Sequence, residues 1–459
     1  MNRPVLAALG ALALAGCINV GPDYVRPEST LPEKWGTPAP AVAVDPAWWK
    51  LFNDAELNKL VDEALANNRD IAIAAARVEQ ARGQLAVVRS YQSPDVGIRG
   101  SRGRERQSQS GSFPVEPQYV VANSNRWGLE ASWEIDFWGK FRRATEASRA
   151  ELLATEAGQD AVRATLVSDV VRGYLSIGAL DRGREIALRT LEGRRVAMDL
   201  QRQRLAAGVI SELELRQLEA SVAAAEALVP ALEQDRLRQE TALAVLLGRT
   251  PREVYDVKIA RGTLATPMAQ VPPGLPSEIL LRRPDLRESE ARLVAANARI
   301  GVARAAYFPS IGLTGFYGSE SVQLSNLFTG PASAWNLVGG LTQPLWAGGQ
   351  IRGGVEIAEA RQQEAALQYQ QAIANAFREV RNALSAQSNA SEAVAAELKR
   401  EKALAAALEL QLLRYKGGLT NLFELLQTES DLLQARLLLI DAERLQRAAI
   451  VDLYTALGI

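Results

Sequence analysis

The segment "NRWGLEASWEIDFWGK", Asn125 to Lys140, alternates strictly. Trp127, Leu129, Ala131, Trp133 and Ile135 are apolar, and Arg126, Gly128, Glu130, Ser132, Glu134 and Asp136 lie between them. A period of two is the pattern of a strand with one apolar and one polar face. Similar stretches predict strands near 95–104, 125–136, 310–319 and 335–345. Each is about the ten residues that a tilted strand needs to cross a bilayer. Trp127, Trp133, Trp138, Tyr317, Trp335 and Trp346 fall within or just beyond these strands, where interfacial aromatic girdles sit. A small soluble sheet with one wet face would show the same alternation.

Most of the remaining chain has a helical pattern. Helical segments near 54–90 and 277–306 end at Pro94 and Pro309, and no proline interrupts the run from Lys140 to Ala207. At ~1.5 Å per residue such a helix reaches roughly 100 Å. The returning segments carry Leu218, Val222, Ala225, Val229 and Leu232, and again Leu425, Leu432, Ala435, Leu439 and Ala442, the seam of a helix packed lengthwise on another. Long antiparallel hairpins follow, turning at Ala206–Glu214 and Lys416–Glu424. Gly208, Gly417 and Gly418 offer the positive-φ freedom of a helix stop there, and Ser211 or Asn421 can cap the next helix. Pro230 predicts a kink or local break in the first returning helix.

The two halves of the chain follow one programme. "RSYQSPDVGIRG" (Arg89–Gly100) lies over "RAAYFPSIGLTG" (Arg304–Gly315), and Asp70, Ala76, Arg77 and Ala81 pair with Asp285, Ala291, Arg292 and Ala296. Phe137-Trp138 faces Leu345-Trp346. Arg204, Gly208 and Glu214 pair with Arg414, Gly418 and Glu424. All fall in the same order at an offset of about 210 residues, so the chain is one unit used twice. Domain boundaries are expected at 1–16 (signal), 17–53 (N-terminal segment), 54–260 (first repeat) and 261–459 (second repeat).

Composition removes several classes of function. The 459 residues are 47% hydrophobic and 23% charged, which is a folded composition. A net charge of −1 gives no field for holding nucleic acid. With no histidine and one cysteine, histidine catalysis, Ser/His or Cys/His nucleophiles, zinc sites and disulfides have no material. No cofactor or metal is expected. The opening "MNRPVLAALGALALAGC" has Arg3, a short apolar run from Val5 to Ala15, and small residues before Cys17, as in a secretory signal. Leu14-Ala15-Gly16-Cys17 resembles the bacterial lipobox, which implies lipid attachment at Cys17, and Ile18 after it implies sorting to the outer membrane. No later apolar run is long enough for a transmembrane helix, so any crossing is made of strands.

Four strands do not close into a barrel, because the smallest transmembrane barrels have about eight and an open edge in lipid leaves backbone groups unpaired. Two chains would supply eight strands. Three would supply twelve, wide enough for a water-filled lumen lined by Glu130, Glu134 and Asp136.

"CINVGPDYVRPESTLPEKW" (Cys17–Trp35), "WWKLFNDAELNKLVDEAL" (Trp48–Leu65), "LPSEILLRRPDLRESEARLVAANARIGVARAAYFPSI" (Leu275–Ile311) and "RYKGGLTNLFELLQTE" (Arg414–Glu429) resemble the outer-membrane efflux proteins of the TolC-like family, in its acylated drug-efflux branch. The resemblance spans essentially the whole chain. It implies an α+β membrane protein: a homotrimer with a twelve-strand transmembrane β-barrel, long hairpins forming a periplasmic α-barrel, and an equatorial belt. It further implies the exit duct of a tripartite pump, fed by an inner-membrane transporter through a periplasmic adaptor protein; some members serve type I protein secretion.

Carried over by position, the resemblance implies adaptor docking at Gly208-Val209-Ile210 and at Gly417, Gly418, Leu419 and Thr420. Exposed apolar residues at a polar turn fit a partner surface, whereas plain helix-turn chemistry explains the glycines equally well. Family tubes narrow at the periplasmic end through polar residues, and Arg204, Glu214, Arg414 and Glu424 are the candidates for that gate; charges on a solvated helix are the alternative for each. Relatives often carry an acid near the second tip, where this chain has Thr420 and Asn421. "GGQIRGG" (Gly348–Gly354) lacks the Lys-Ser/Thr of a phosphate loop and reads as a strand-to-helix corner. Glu288 and Glu290 fit a helical charge pattern. Three classes of function remain open: a passive export duct, a periplasmic scaffold lipoprotein without a pore, and a hydrolytic lipoprotein, for which the missing histidine is unfavourable.

Overall fold

The computed structural model describes residues 19–28, 47–110, 120–262 and 281–458. Cys17 and the signal segment before it lie outside the described residues. The helices are α1 (Ala55–Asn67), α2 (Arg69–Ser90), α3 (Lys140–Ala206), α4 (Glu212–Leu246), α5 (Pro251–Tyr255), α6 (Pro284–Ala305), α7 (Gln350–Lys416) and α8 (Leu422–Ala456). The strands are β1 (Asp95–Arg106), β2 (Val121–Glu134), β3 (Ser310–Ser321) and β4 (Ser333–Thr342). The repeat is visible in the lengths: α2 and α6 have 22 residues each, β1 and β3 have 12, α3 and α7 have 67, and α4 and α8 have 35.

Several boundaries depart from the sequence reading. The helical segment expected over 54–90 breaks at Asn68, an extended residue whose side chain accepts hydrogen bonds from the amides of Asp70 (2.7 Å) and Ile71 (3.1 Å) and so caps α2. Pro230 does not end α4, whose 35 residues run through it. Of the three turn glycines, Gly208 and Gly418 take positive φ and Gly417 does not. Strand β4 stops at Thr342, two residues before Pro344, which has no N–H to give to a ladder.

The described chain forms two compact units, and each draws on both repeats. The first comprises, of the described residues, 19–28, 77–110, 120–156 and 288–370. It contains a single antiparallel sheet of order β1-β2-β3-β4, in which β2 pairs with β3 although a whole helical hairpin separates them in sequence. Beside it, α3 and α6 pack through Ala147, Ala150, Ala295 and Ala298, whose small side chains let the helices approach closely. Residues 19–28 lie against this pair. Val20 donates its amide to the Trp138 carbonyl (3.1 Å), Arg143 reaches Asp23 (2.7 Å), and Asn297 donates to the Pro22 carbonyl (2.9 Å). Glu290 is not a free surface charge: it accepts both arms of Arg26 (2.5 and 2.6 Å) and the Tyr24 hydroxyl (3.1 Å). Burial, then the Glu290 carboxylate, pushes the Tyr24 pKa up.

The second unit comprises, of the described residues, 47–76, 157–262, 281–287 and 371–458. Here α3 packs on α4 through Leu191, Val222 and Ala225, joined by Met198 and Val229. Leu218 of α4 meets Leu422 and Leu425 of α8, with Leu408, Tyr415 and Leu426 around them. Leu432, Ala435 and Ala442 of the predicted seam are buried as well. Trp48 stacks on Tyr454 with ring centroids 5.2 Å apart. Buried Asp54 caps α1 through the amides of Glu56 and Leu57 and accepts a hydrogen bond from the Tyr174 hydroxyl (2.9 Å), which itself accepts one from the Gly262 amide (2.8 Å).

Candidate channel wall and docking tips

In the first unit, the ladder registers Val96 with Ala131, Ile98 with Leu129, Leu129 with Tyr317, Ala131 with Gly315, Tyr317 with Trp335, and Gly315 with Leu337. Because cross-strand partners share a face, Val96, Ile98, Trp127, Leu129, Ala131, Trp133, Leu313, Tyr317, Trp335, Leu337 and Leu341 form one apolar face. That face is the open one: Ile98 is 68% exposed, Tyr317 68%, Leu337 74% and Trp335 75%. Water does not favour so large an apolar surface, whereas lipid does.

The opposite face is polar. Arg99 pairs with Glu130 at 3.3 Å, and the Arg126 guanidinium lies 3.8 Å from the centroid of the buried Phe316 ring, opposite Glu320 in the ladder. Phe316 occupies a niche floored by glycines: a Cβ on Gly128 would come within 2.7 Å of its ring. Glu130 and Glu134 sit on this face, and Glu134 is held by Lys140 (3.0 Å). Asp136 does not join them. Strand β2 ends at Glu134, and the Asp136 carboxylate accepts from the amides of Phe141 (3.1 Å) and Arg142 (2.8 Å), closing the first turn of α3 where a negative charge is favoured. Trp138 likewise lies past the strand, donating to the Pro309 carbonyl (2.7 Å) and stacking on Phe308. Trp346 is exposed beyond β4, and Gly348 and Gly349 take positive φ at the corner before α7. Strands β1 and β4 each pair on one side only, so both outer edges of the sheet are open among the described residues. No helix of the described residues is long and apolar enough to cross a membrane.

In the second unit, the two hairpin tips are near copies. At the first, Gly208 has φ +71°, its amide donates to the Leu205 carbonyl (2.9 Å), and the Val209 amide donates to the Arg204 carbonyl (2.9 Å). At the second, Gly418 has φ +71°, its amide donates to the Tyr415 carbonyl (3.1 Å), and the Leu419 amide donates to the Arg414 carbonyl (2.9 Å). This paired closure satisfies the last carbonyls of each helix and turns the chain sharply. Val209 (68%) and Leu419 (72%) then project into solvent, while Ile210 and Thr420 are half-buried. The sequence reading missed Leu213 and Phe423, exposed apolar residues on the first turn of α4 and α8. They stand just before Glu214 and Glu424 in the two copies of the tip pattern, which is the signal that could have found them.

The four gate candidates have local work at these tips. Glu214 closes a capping box with Ser211 (2.9 Å to its amide). Glu424 accepts from the Thr420 hydroxyl (2.5 Å) and the Gln411 side chain (3.1 Å), and these bonds hold its carboxyl below the usual glutamate range. The carbonyls of Arg204 and Arg414 close the turns, and their side chains are exposed. Away from the tips, a cavity of about 700 Å³ between α3, α7 and α8 is lined by Arg182, Arg194, Glu401, Glu429, Arg436 and Glu443 among others. Burial pushes the Glu429 carboxyl up and the Arg194 guanidinium down.

An exposed apolar sheet face backed by a polar one, carried by a chain of long helical hairpins, defines a channel-forming membrane protein of α+β class. Residues 60–249 and 275–459 match the family model described as "Outer membrane efflux protein". The chain is 35% identical to the outer membrane protein OprJ of Pseudomonas aeruginosa, over all of this chain and 96% of that protein. It is 33% identical to the probable outer membrane lipoprotein SilC of Salmonella typhimurium, over 97% and 96%. Among solved structures, the CmeC outer membrane channel of Campylobacter jejuni superposes with a TM-score of 0.91 at 27% identity, covering 96% of this chain and 94% of that one. The chain belongs to the outer membrane efflux protein family, and it is an outer-membrane efflux channel.

Proposed function

We propose that this chain is the passive exit duct of a tripartite efflux pump and works as a homotrimer. Three copies of the sheet, joined β4 to β1, would close a twelve-strand barrel whose apolar face meets lipid and whose polar face, with Glu130 and Glu134, lines the lumen. The observation that carries this reading is the exposed apolar face bounded by two open strand edges: an unpaired edge in hydrocarbon costs several kcal/mol per backbone group, so the edges must be paired by neighbouring copies.

The tips, with Val209, Leu213, Leu419 and Phe423 exposed, are proposed to receive a periplasmic adaptor protein that links the duct to an inner-membrane transporter. Arg204 and Arg414 are proposed for the periplasmic constriction, with Glu214 and Glu424 shaping the turns that present them. Lipid on Cys17 would add an anchor in the outer membrane. The duct performs no catalytic step. Its cargo is proposed to be drugs or other small toxic compounds, selected upstream by the transporter. Relatives named for quite different cargo support that division of labour: a solvent efflux pump outer membrane protein and a cation efflux system protein are both similar along nearly the whole chain.

Deleting the gene and restoring it on a plasmid tests the reading. Deletion is expected to raise sensitivity to several small toxic compounds and restoration to reverse it. If a secreted protein is retained instead, with no change in sensitivity, the chain serves type I secretion. If neither changes, it is no duct.

A further inference from the structure

The apolar face of β1 changes character along its length. Val96 and Ile98 are followed on the same face by Gly100 and then by Arg102, Arg104 and Arg106, registered opposite Asn125, Asn123 and Val121 of β2. Gly100 lies under Trp127, whose ring would stand 2.7 Å from a Cβ there, so the tryptophan marks where the apolar band ends and the arginines begin. All three arginines are exposed. Among the described residues none of them is in an ion pair, in contrast to Arg99 on the polar face, which has Glu130.

Barrel construction does not require this stripe. The matching positions of β3, found through the sequence repeat, are Tyr317, Ser319 and Ser321. Within the hydrocarbon an outward arginine on such a strand costs about 2–4 kcal/mol at the midplane, falling to about 0–1 near the interface. Three in a row, directly beyond an interfacial tryptophan, therefore belong at headgroup level. They lie at the end of β1 away from α2, beside the β1–β2 loop. In an outer-membrane channel whose helices extend inward, that end faces the outer leaflet.

We propose that Arg102, Arg104 and Arg106 bind the phosphate groups of the anionic glycolipid of the outer leaflet. The proposal rests on the membrane-channel reading. Guanidinium groups grip phosphate oxygens in pairs, and residues two apart on a strand stand ~6.8 Å from one another, so the stripe offers about 14 Å of donors along the outer end of β1. A free anion would gain little from such a line of exposed donors. A lipid whose acyl chains lie on Ile98 and Trp127 gains both contacts at once.

The full-length protein in detergent, titrated with lipid A and with lipid A stripped of its phosphates, tests this. Binding is read by the emission of Trp127 and its neighbours and by native mass spectrometry, and channel conductance in a planar bilayer is recorded for each variant. The wild type should bind the phosphorylated form about tenfold or more tightly, with the preference weakening in high salt. R102Q/R104Q/R106Q should lose that preference and keep its conductance. The triple Lys variant should keep most of the preference. Equal binding of the two lipids by the wild type, or an undiminished preference in the Gln variant, overturns the proposal. A wild type that never conducts overturns the channel reading along with it.

Discussion

Gly21 and Gly301 touch backbone to backbone: a Cβ on Gly21 would lie 2.5 Å from the Cα of Gly301, and one on Gly301 would lie 2.5 Å from the Val20 carbonyl oxygen and 2.8 Å from the Arg143 side chain. Gly21 also holds φ +106°, which side chains rarely adopt. The two glycines let residues 19–28 lie flat on α3 and α6, so that Arg26 and Tyr24 reach Glu290. The chain just before this strap is where Cys17 stands.

Gly301→Val is therefore expected to lift the strap and to lower stability by about 1–3 kcal/mol, the usual cost of overpacking. Proteolysis should show it directly, with chymotrypsin cutting after Tyr24 faster in the variant. An unchanged cleavage rate would mean that the strap does not depend on this contact.

Tyr174 joins the buried Asp54 carboxylate, which also caps α1, to the Gly262 amide. Tyr174→Phe should cost about 1–3 kcal/mol, seen as a lower unfolding midpoint. Burial, first, and Asp54 push the hydroxyl up to about 12. Because the folded pKa lies above the ordinary value of 10.0, this contribution is complete below pH ~10 and is lost as the pH rises through 12. Alkaline unfolding of wild type and variant should converge in that window. A variant that stays parallel to the wild type throughout would rule the linkage out.

The Glu424 carboxyl should titrate below a free glutamate, because Thr420 and Gln411 donate to it. The depressed value means that the network stabilises the tip at neutral pH and is lost as the pH falls through the folded pKa. Carbon NMR of labelled glutamate, comparing wild type with Thr420→Val, should show the signal titrating at higher pH in the variant. A signal that does not move would detach Thr420 from the network.

At the tips, Val209→Asp with Leu419→Asp should abolish adaptor coupling while leaving assembly and conductance intact, since both side chains project into solvent and neither holds the turn. Gly418→Asp should act through the backbone as well, because its φ of +71° disfavours a side chain. Export at full rate in the double variant would move the docking site elsewhere.

The element plan was legible because it is periodic. Alternation from Trp127 to Trp133 and the seam from Leu218 to Ala225 each produced the structure that their period dictates. The repeat predicted that two tips would match, and Gly208 and Gly418 do so to the degree. What sequence could not carry were the local hydrogen bonds of acidic side chains. Asp136 keeps the alternation yet turns away to close α3, and Glu214 and Glu424 look like free charges until the amides and hydroxyls beside them are placed. Leu213 and Phe423 escaped notice because apolar residues on a helix read as seam, and only the geometry of the turn shows which of them face water. The pairing of β2 with β3 across a long hairpin also needed the structure, since no turn links those strands.

In the proposed duct, one sheet with two open edges encloses a conduit only with its neighbours. Single-channel recording on purified protein, with chemical crosslinking of the same sample, reads pore and subunit number together. A conducting species that crosslinks to a trimer and no further is the predicted result. Conductance from an uncrosslinkable single copy, or a trimer that never conducts, would contradict it.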